Sequence, residues 1–375
     1  MKINSVIMLS RAFPTVTGGA EKQELELSRA LAGRGVKVTA LAGRPAGLPA
    51  GETLDGVRIK RLSGARGAAA FLFKSFFWLL AHRGEYQAVH ARQPYAAAAA
   101  LAGRLTGRRT FVKVTAADAA VFLLGSPAAR LKLALFRAAS AELLVANRGA
   151  YERLKGARAA AGLRLHYFRA GVDTGRYTPP LYGEKIKAKA ALGLDNSPVF
   201  LFVGLLSPEK RVREFVETWA QILSEEAVPP KMRLLIVGGG PEEARLRRTV
   251  ADMGLAGSVT VAGHRDDLLP YYRAADVFIL PSLSGELSNS MLEAMACGLA
   301  VMANRAGGAG EAVEPGVSGC FFDAGSRQEL KACLLGYAAD RGLAVKMGEQ
   351  ARRTAVEKYS MARAAGELAR IYEEI

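Results

Sequence analysis

Apolar residues recur along the chain in short unbroken runs. Each run is followed by a polar, glycine-containing turn and then by a segment with helical spacing. Ile3 to Leu9 reads as a strand, Ala20 to Ala32 as a helix and Val36 to Leu41 as a second strand, one βαβ unit. Further strands are expected at Ala88–His90, Thr110–Val114 and Leu143–Ala146. The pattern restarts at Val199–Val203. Val212, Phe215, Val216, Trp219, Ile222 and Leu223 then fall on one helical face. Strands at Leu234–Val237, Val259–Ala262, Val277–Leu280 and Leu299–Ala303 continue the alternation. Between the halves, Thr178-Pro179-Pro180 and a Lys-rich polar stretch to Pro198 read as a linker. The expected fold class is α/β: two successive doubly wound parallel sheets, helices on both faces, with the strand ends of the two facing across a cleft.

A length of 375 residues suits two domains. No uncharged apolar run reaches the roughly 18 residues of a spanning helix. The apolar stretch before Arg11 is too short for a signal peptide. The three cysteines are far apart without a C-x-x-C, so neither a disulfide framework nor a zinc site is expected, and a reducing compartment is the default.

Charge divides the chain. The formal net charge is +16, made of +18 over residues 1–180 and −2 over the remainder. The basic half is expected to meet an anionic membrane surface or an anionic saccharide. No nucleic-acid-binding motif appears, so nucleic acid is not expected. Ala68 to Arg83, with Lys74, Phe76 and Trp78, has the composition of an interfacial helix, and equally that of a helix covering a sheet. Arg108 and Arg109, assigned to a loop, add cationic charge for an acceptor or a membrane.

Searches for a dinucleotide fingerprint, a phosphate loop, a nucleophile elbow and a metalloprotease helix all fail. Val277 to Ala303 is more informative: a strand, a polar loop with Glu286, then a helix from Asn289 to Cys297 with Gly298 behind it. Amides of Ser290 and Met291 at the helix start suit an anion. With Glu286 and Glu293 nearby, the segment suits a molecule combining phosphates and vicinal hydroxyls, such as a sugar nucleotide. The alternative is a capping box between Ser290 and Glu293.

Six segments in order resemble the retaining glycosyltransferases of family 4, which have the two-domain GT-B fold. They are Gly18-Gly19-Ala20-Glu21, Ala170-Gly171-Val172-Asp173, Phe202-Val203-Gly204 with Ser207-Pro208-Glu209-Lys210, Ile236 to Glu242, Leu287 to Gly298, and Gly307 to Glu311. The resemblance implies a basic acceptor-binding domain over 1–178, a nucleotide-sugar-binding domain over 179–361, and a helix over 362–375 returning to the first domain. It implies that Lys210 neutralises the donor diphosphate and that Glu293 holds the ribose. Gly18, Gly19 and Gly204 let backbone approach the donor, and Asn289, Ser290 and Met291 offer amides to it. Glu286 reaches the transferred sugar, and Asp118 takes a catalytic place in the first domain. No cofactor or metal is expected. The expected partners are a nucleotide sugar and a lipid-linked or anionic saccharide acceptor, and the expected location is cytoplasmic, on the inner face of the membrane.

This chain departs from the family pattern in places. Leu205 stands where the family has Arg, Gly285 where it has the first Glu of its box, and Thr115 to Asp118 contains no His. Two rival readings are a non-catalytic nucleotide-sugar-binding or scaffold subunit, and a nucleotide-sugar epimerase of the same fold.

Overall fold

The computed structural model describes residues 3–13, 19–64, 67–93, 95–181, 183–225 and 231–374. The chain divides into two compact units, Met1–Gly171 with Met361–Ile375, and Val172–Ser360.

The first unit is built on β1 (Ser5–Leu9), α1 (Gly19–Ala32), β2 (Lys37–Gly43), β3 (Gly51–Leu54), β4 (Val57–Leu62), α2 (Ala68–Ala81) and β5 (Ala88–Arg92). It continues with α3 (Ala96–Thr106), β6 (Arg109–Val114), α4 (Ala116–Leu123), α5 (Pro127–Ala138), β7 (Glu142–Val145), α6 (Arg148–Gly156) and β8 (Arg164–Tyr167). The sheet order is β3-β4-β2-β1-β5-β6-β7-β8, parallel except for the β3–β4 hairpin. The central strands β1, β2, β5, β6 and β7 are largely apolar runs buried on both faces, as a parallel sheet requires, whereas β3, β4 and β8 leave positions exposed.

The second unit holds α7 (Glu184–Ala191), β9 (Val199–Val203), α8 (Val212–Glu225), β10 (Arg233–Val237), α9 (Glu243–Asp252), β11 (Val259–Gly263), α10 (Leu269–Ala274) and β12 (Val277–Leu280). After these come α11 (Asn289–Ala296), β13 (Ala300–Asn304), β14 (Gly319–Phe322), α12 (Arg327–Ala339) and α13 (Arg341–Tyr359). Its six-stranded parallel sheet runs β11-β10-β9-β12-β13-β14. The expected helical face is the buried one: Val212, Phe215, Val216, Trp219 and Ile222 of α8 lie in the core. The last helix, α14 (Met361–Glu373), lies against α1 in the first unit, with Leu368 and Tyr372 fully buried.

The boundaries differ from the expected 178/179 and 361/362. Residues 172–178 are built into the second unit. The Val172 amide donates to the Tyr359 carbonyl at 2.7 Å. The Arg352 guanidinium donates to the carbonyls of Thr174, Tyr177 and Ala296. The expected linker to Pro198 is not one either. It contains α7, whose Lys189 is buried on Asp276 at 2.8 Å and on the Ser197 carbonyl. An amphipathic Lys-rich helix and a solvated linker look alike in composition.

Candidate nucleotide-sugar site

In the second unit β9 has β10 on one side and β12 on the other. The connections leaving β9 and β12 therefore diverge, opening a crevice at the carboxyl ends, where α/β sheets take ligands. The loop after β9 begins at Gly204, whose amide donates to the Val237 carbonyl at 3.0 Å. Gly238 and Gly240 lie at φ 144° and 152°, and a Cβ there would come within 1.9 Å of the Gly204 carbonyl oxygen and 2.4 Å of that of Leu206. Only glycine lets the two loops stack so closely.

Leu205 is 58% exposed. The chain then makes a 3₁₀ turn over Pro208–Lys210. Lys210 is half-exposed, and its ammonium has no ion pair or hydrogen bond among the described residues. Two contacts tie this turn to the loop after β12. The Leu283 amide donates to the Glu209 carbonyl at 3.3 Å, and the Ser290 hydroxyl donates to the Val203 carbonyl at 2.8 Å. Lys210 and the start of α11 thus belong to one bonded framework.

The cap of α11 corrects the sequence reading. Ser288, not Ser290, is the N-cap, and its hydroxyl accepts from the Met291 amide at 3.4 Å. The Met291 amide is therefore already engaged, and its side chain is buried in the core. No Ser290–Glu293 capping box forms. Asn289 and Ser290 open the helix as expected. Glu293 is 7% exposed, and its Oε2 accepts from the Tyr272 hydroxyl at 2.8 Å. Burial and the Glu293 charge raise the Tyr272 pKa well above that of a free tyrosine, so it remains a donor. The same two causes push the Cys297 thiol up to about 12.

Glu286 is exposed, in a loop braced by the Gly307-Gly308 turn. The Gly308 amide donates to the Ser284 carbonyl at 2.9 Å. A Cβ on Gly308 would lie 2.4 Å from the Glu286 carbonyl oxygen. The loop is positioned by these glycines; Gly285 has no left-handed φ.

In the first unit the corresponding switch point lies between β1 and β5. Gly18 lies outside the described residues, and Gly19 opens α1. Asp118 does not have its carboxylate turned to chemistry: Oδ2 accepts from the Thr115 amide and hydroxyl at 3.0 and 2.9 Å, the capping box of α4. A different charged cluster lies at this edge. Arg92 pairs with Glu21 at 3.1 Å and approaches Glu24 at 3.8 Å, while Lys113 donates to Gln23 at 2.8 Å. Glu24 Oε2 is buried without a hydrogen-bond partner among the described residues. Burial raises its pKa, while Arg92 and Lys113 pull the other way. Of this group the sequence singles out only Glu21, as the end of the Gly18–Glu21 segment, and not the cluster. Its members come from α1, β5 and β6, and only the sheet order brings them together. Tyr272 carried no sequence signal at all.

The expected membrane residues are also rearranged. Arg109 is not in a loop. It begins β6, with Nη2 on Glu142 at 2.6 Å and Nη1 on the Tyr372 carbonyl at 2.9 Å. Arg108 Nε donates to the Arg83 carbonyl at 3.1 Å. Lys74 holds the Ser63 carbonyl at 2.5 Å. Phe76 and Trp78 are half-buried against the core of Phe71 and Leu79, and the exposed aromatics of α2 are Phe73 and Phe77.

Two doubly wound units, one carrying a lysine turn and a buried carboxylate at its switch point, define a protein of the GT-B fold class. Comparison with known proteins narrows this. Residues 17–175 match the family model described as Glycosyltransferase Family 4, and residues 197–340 match Glycosyl transferases group 1. The chain belongs to the family 4 glycosyltransferases.

A D-inositol 3-phosphate glycosyltransferase of Acidothermus cellulolyticus is 37% identical over 193 residues, 49% of this chain and 42% of the relative. The lipopolysaccharide core biosynthesis glycosyltransferase LpsE of Rhizobium meliloti is 28% identical over 165 residues, 44% of this chain and 46% of the relative. The matched segments span less than half the length of these relatives. Among solved structures, sucrose-phosphate synthase from Thermosynechococcus elongatus superposes with a TM-score of 0.79 at 21% identity, covering 99% of this chain and 98% of that one. Anabaena HepE, in complex with UDP-glucose, gives 0.78 at 20% identity, covering 99% and 100%. At these identities the structures bear on the fold alone.

Proposed function

We propose that the protein is a retaining glycosyltransferase. It would move a sugar from a nucleoside diphosphate sugar to an anionic or lipid-linked saccharide acceptor at the cytoplasmic face of a membrane. The observation that carries the reading is the crevice of the second unit, where Lys210 stands on a turn and Glu293 on helix α11, in segments bonded to each other. Lys210 compensates the negative charge that builds on the departing diphosphate, a contact strongest in the transition state. Glu293, fixed by Tyr272, accepts from the ribose hydroxyls. Asn289 and Ser290 at the start of α11 face the phosphates or the donor sugar, and Glu286 faces the transferred group. The charge compensation comes from Lys210, so the proposed chemistry needs no metal. The UDP-glucose complex of HepE supports a nucleotide-sugar donor, and the LpsE relative supports an acceptor carried by lipid. In the first unit, Arg92 and Lys113 supply cations for an anionic acceptor.

A thermal-shift screen of nucleoside diphosphates and their sugars tests the donor. A ligand at 100 times its dissociation constant adds about 2.7 kcal/mol, a clear rise in melting temperature. No shift with any of them overturns the reading. Two observations favour a second reading, a binding subunit without turnover: Leu205 offers no charge, and Asp118 is committed to a cap. Donor hydrolysis separates the two. Slow release of free sugar belongs to the transferase, and tight donor binding without release belongs to the binding subunit.

A further inference from the structure

The connections β4 to β5, β5 to β6 and β6 to β7 all advance in one direction across the first sheet. Right-handed crossovers therefore place α2, α3, α4 and α5 on one face, with α1 and α14 on the other. The inner residues of α2 to α5 form cores of their own, separate from that of α1 and α14. Their outer residues are unusual. Phe73 and Phe77 of α2, Leu101 and Leu105 of α3, Leu131 of α5 and Leu124 at the α4–α5 corner are all exposed, from 41% for Leu101 to 82% for Leu124. Single exposed apolar residues are ordinary, but large ones repeated over adjoining helices mark an interaction surface. The Phe73 and Phe77 rings lie 4.6 Å apart. α2 packs against α3, and α3 against α5.

The charge on this layer selects the partner. Helices α2, α3 and α5 carry Lys74, Arg104, Arg130, Lys132 and Arg137 and no Asp or Glu. A second copy would set these cations against their equals. A bilayer with anionic headgroups offers both complements at once, apolar depth and negative surface potential. The corner adds a shape argument. Helices α4 and α5 would pass as a membrane span by length and composition, but they are bent by 102°. Ala129, Leu133 and Phe136 hold α5 on the sheet. The pair therefore cannot cross a bilayer and instead presents Leu124 outward at its bend.

We propose that the α2–α3–α4–α5 face of the first unit docks on an anionic lipid surface, with the Leu124 corner and the Phe73–Phe77 pair entering the interface. This deepens the membrane-side reading above and names its residues; Phe76 and Trp78 stay in the core.

The test uses the intact chain and vesicles of phosphatidylcholine, alone or mixed with phosphatidylglycerol. The chain is expected to sediment with the mixed vesicles, less so as salt rises, because exposed charges are screened over about 8 Å at physiological ionic strength. Phe73→Ser with Phe77→Ser, and separately Leu124→Ser with Leu131→Ser, should each lower partitioning at least about tenfold, by loss of apolar insertion. These positions are exposed, so melting temperature should be retained. Absence of vesicle binding overturns the proposal, as does binding that ignores both apolar pairs. If the same variants instead abolish a dimer seen by light scattering, the occupant is a second copy and the proposal fails. Nucleotide binding is a separate readout. Vesicle binding without any nucleotide binding would remove glycosyl transfer and leave the docking surface standing.

Discussion

Replacing Tyr272 by Phe removes one oxygen from the centre of the second unit. The ring contacts survive: Tyr177 lies edge-on with centroids 5.7 Å apart, and Phe278 lies at 6.5 Å. What is lost is the 2.8 Å bond to Glu293 Oε2, where both partners are buried. A hydrogen bond to a charged acceptor contributes about 1.5–3 kcal/mol, and the carboxylate left behind still bears its desolvation penalty. For a unit of this size each kcal/mol moves the midpoint by about 2–4 °C, so a fall of about 3–12 °C is expected.

The functional consequence is separate. If Glu293 holds the ribose, its carboxylate needs the tyrosine to stay in place, and nucleoside diphosphate affinity should fall roughly tenfold, about 1.4 kcal/mol. Calorimetry with a nucleoside diphosphate, run beside thermal melts of Tyr272→Phe and Glu293→Gln, reads both quantities. A lowered melting temperature with unchanged affinity in both variants would make Glu293 a structural acid and refute its place in the site.

Three further outcomes are expected. Lys210→Ala should lower the rate of transfer on the order of 10²-fold or more in single-turnover assays, with melting unchanged because the ammonium supports no described contact. Gly308→Ala puts a Cβ 2.4 Å from the Glu286 carbonyl oxygen, and Gly310→Ala meets nothing within 4 Å; the first should lose about 1–3 kcal/mol of stability and impair transfer more than nucleotide binding, the second neither. His90 is buried on the Tyr372 hydroxyl at 3.1 Å, and burial, with Lys113 beside it, lowers its pKa to about 3. Its folded pKa lies below its unfolded 6.5, so the unfolded chain binds this proton first; stability is fully present above pH 6.5 and declines by about 1.4 kcal/mol per unit as pH falls toward 3, a loss that His90→Asn should reduce in pH-dependent melts.

Most of the parallel strands were legible because strands buried on both faces are continuous apolar runs. The elements missed are those that break this rule. Val57–Leu62 alternates buried Val57 and Ile59 with exposed Arg58 and Lys60, and its partner Gly51–Leu54 is short and exposed. Arg164–Tyr167 and Gly319–Phe322 are edge strands, each paired on one side only. Within the candidate site, Lys210 and Glu293 could be named because each sits in a contiguous motif. The Arg92–Glu24–Lys113 cluster has no contiguous motif, since its members are joined by strand order. Arg109 was misread because a cation that closes an internal ion pair looks, in sequence, like one awaiting a partner. Asp118 lies three residues after Thr115, which is also the spacing of a cap, and the local bonds won.

The return of α14 to the first unit shapes how the chain can be made. Met361, Leu368, Ile371 and Tyr372 fill a core with Ile3, Val6 and Met8, more than 350 residues upstream. During synthesis, the first unit would emerge with that side uncovered and wait while all of residues 172–360 were translated. At about 5–20 residues per second that interval lasts on the order of ten seconds or more, long beside the folding of a single domain. The second unit is continuous in sequence and can complete its core first, so the order of maturation is the reverse of the order of emergence. Truncation after Ser360 would leave the second unit whole and the first with an open apolar flank, a substrate for chaperones.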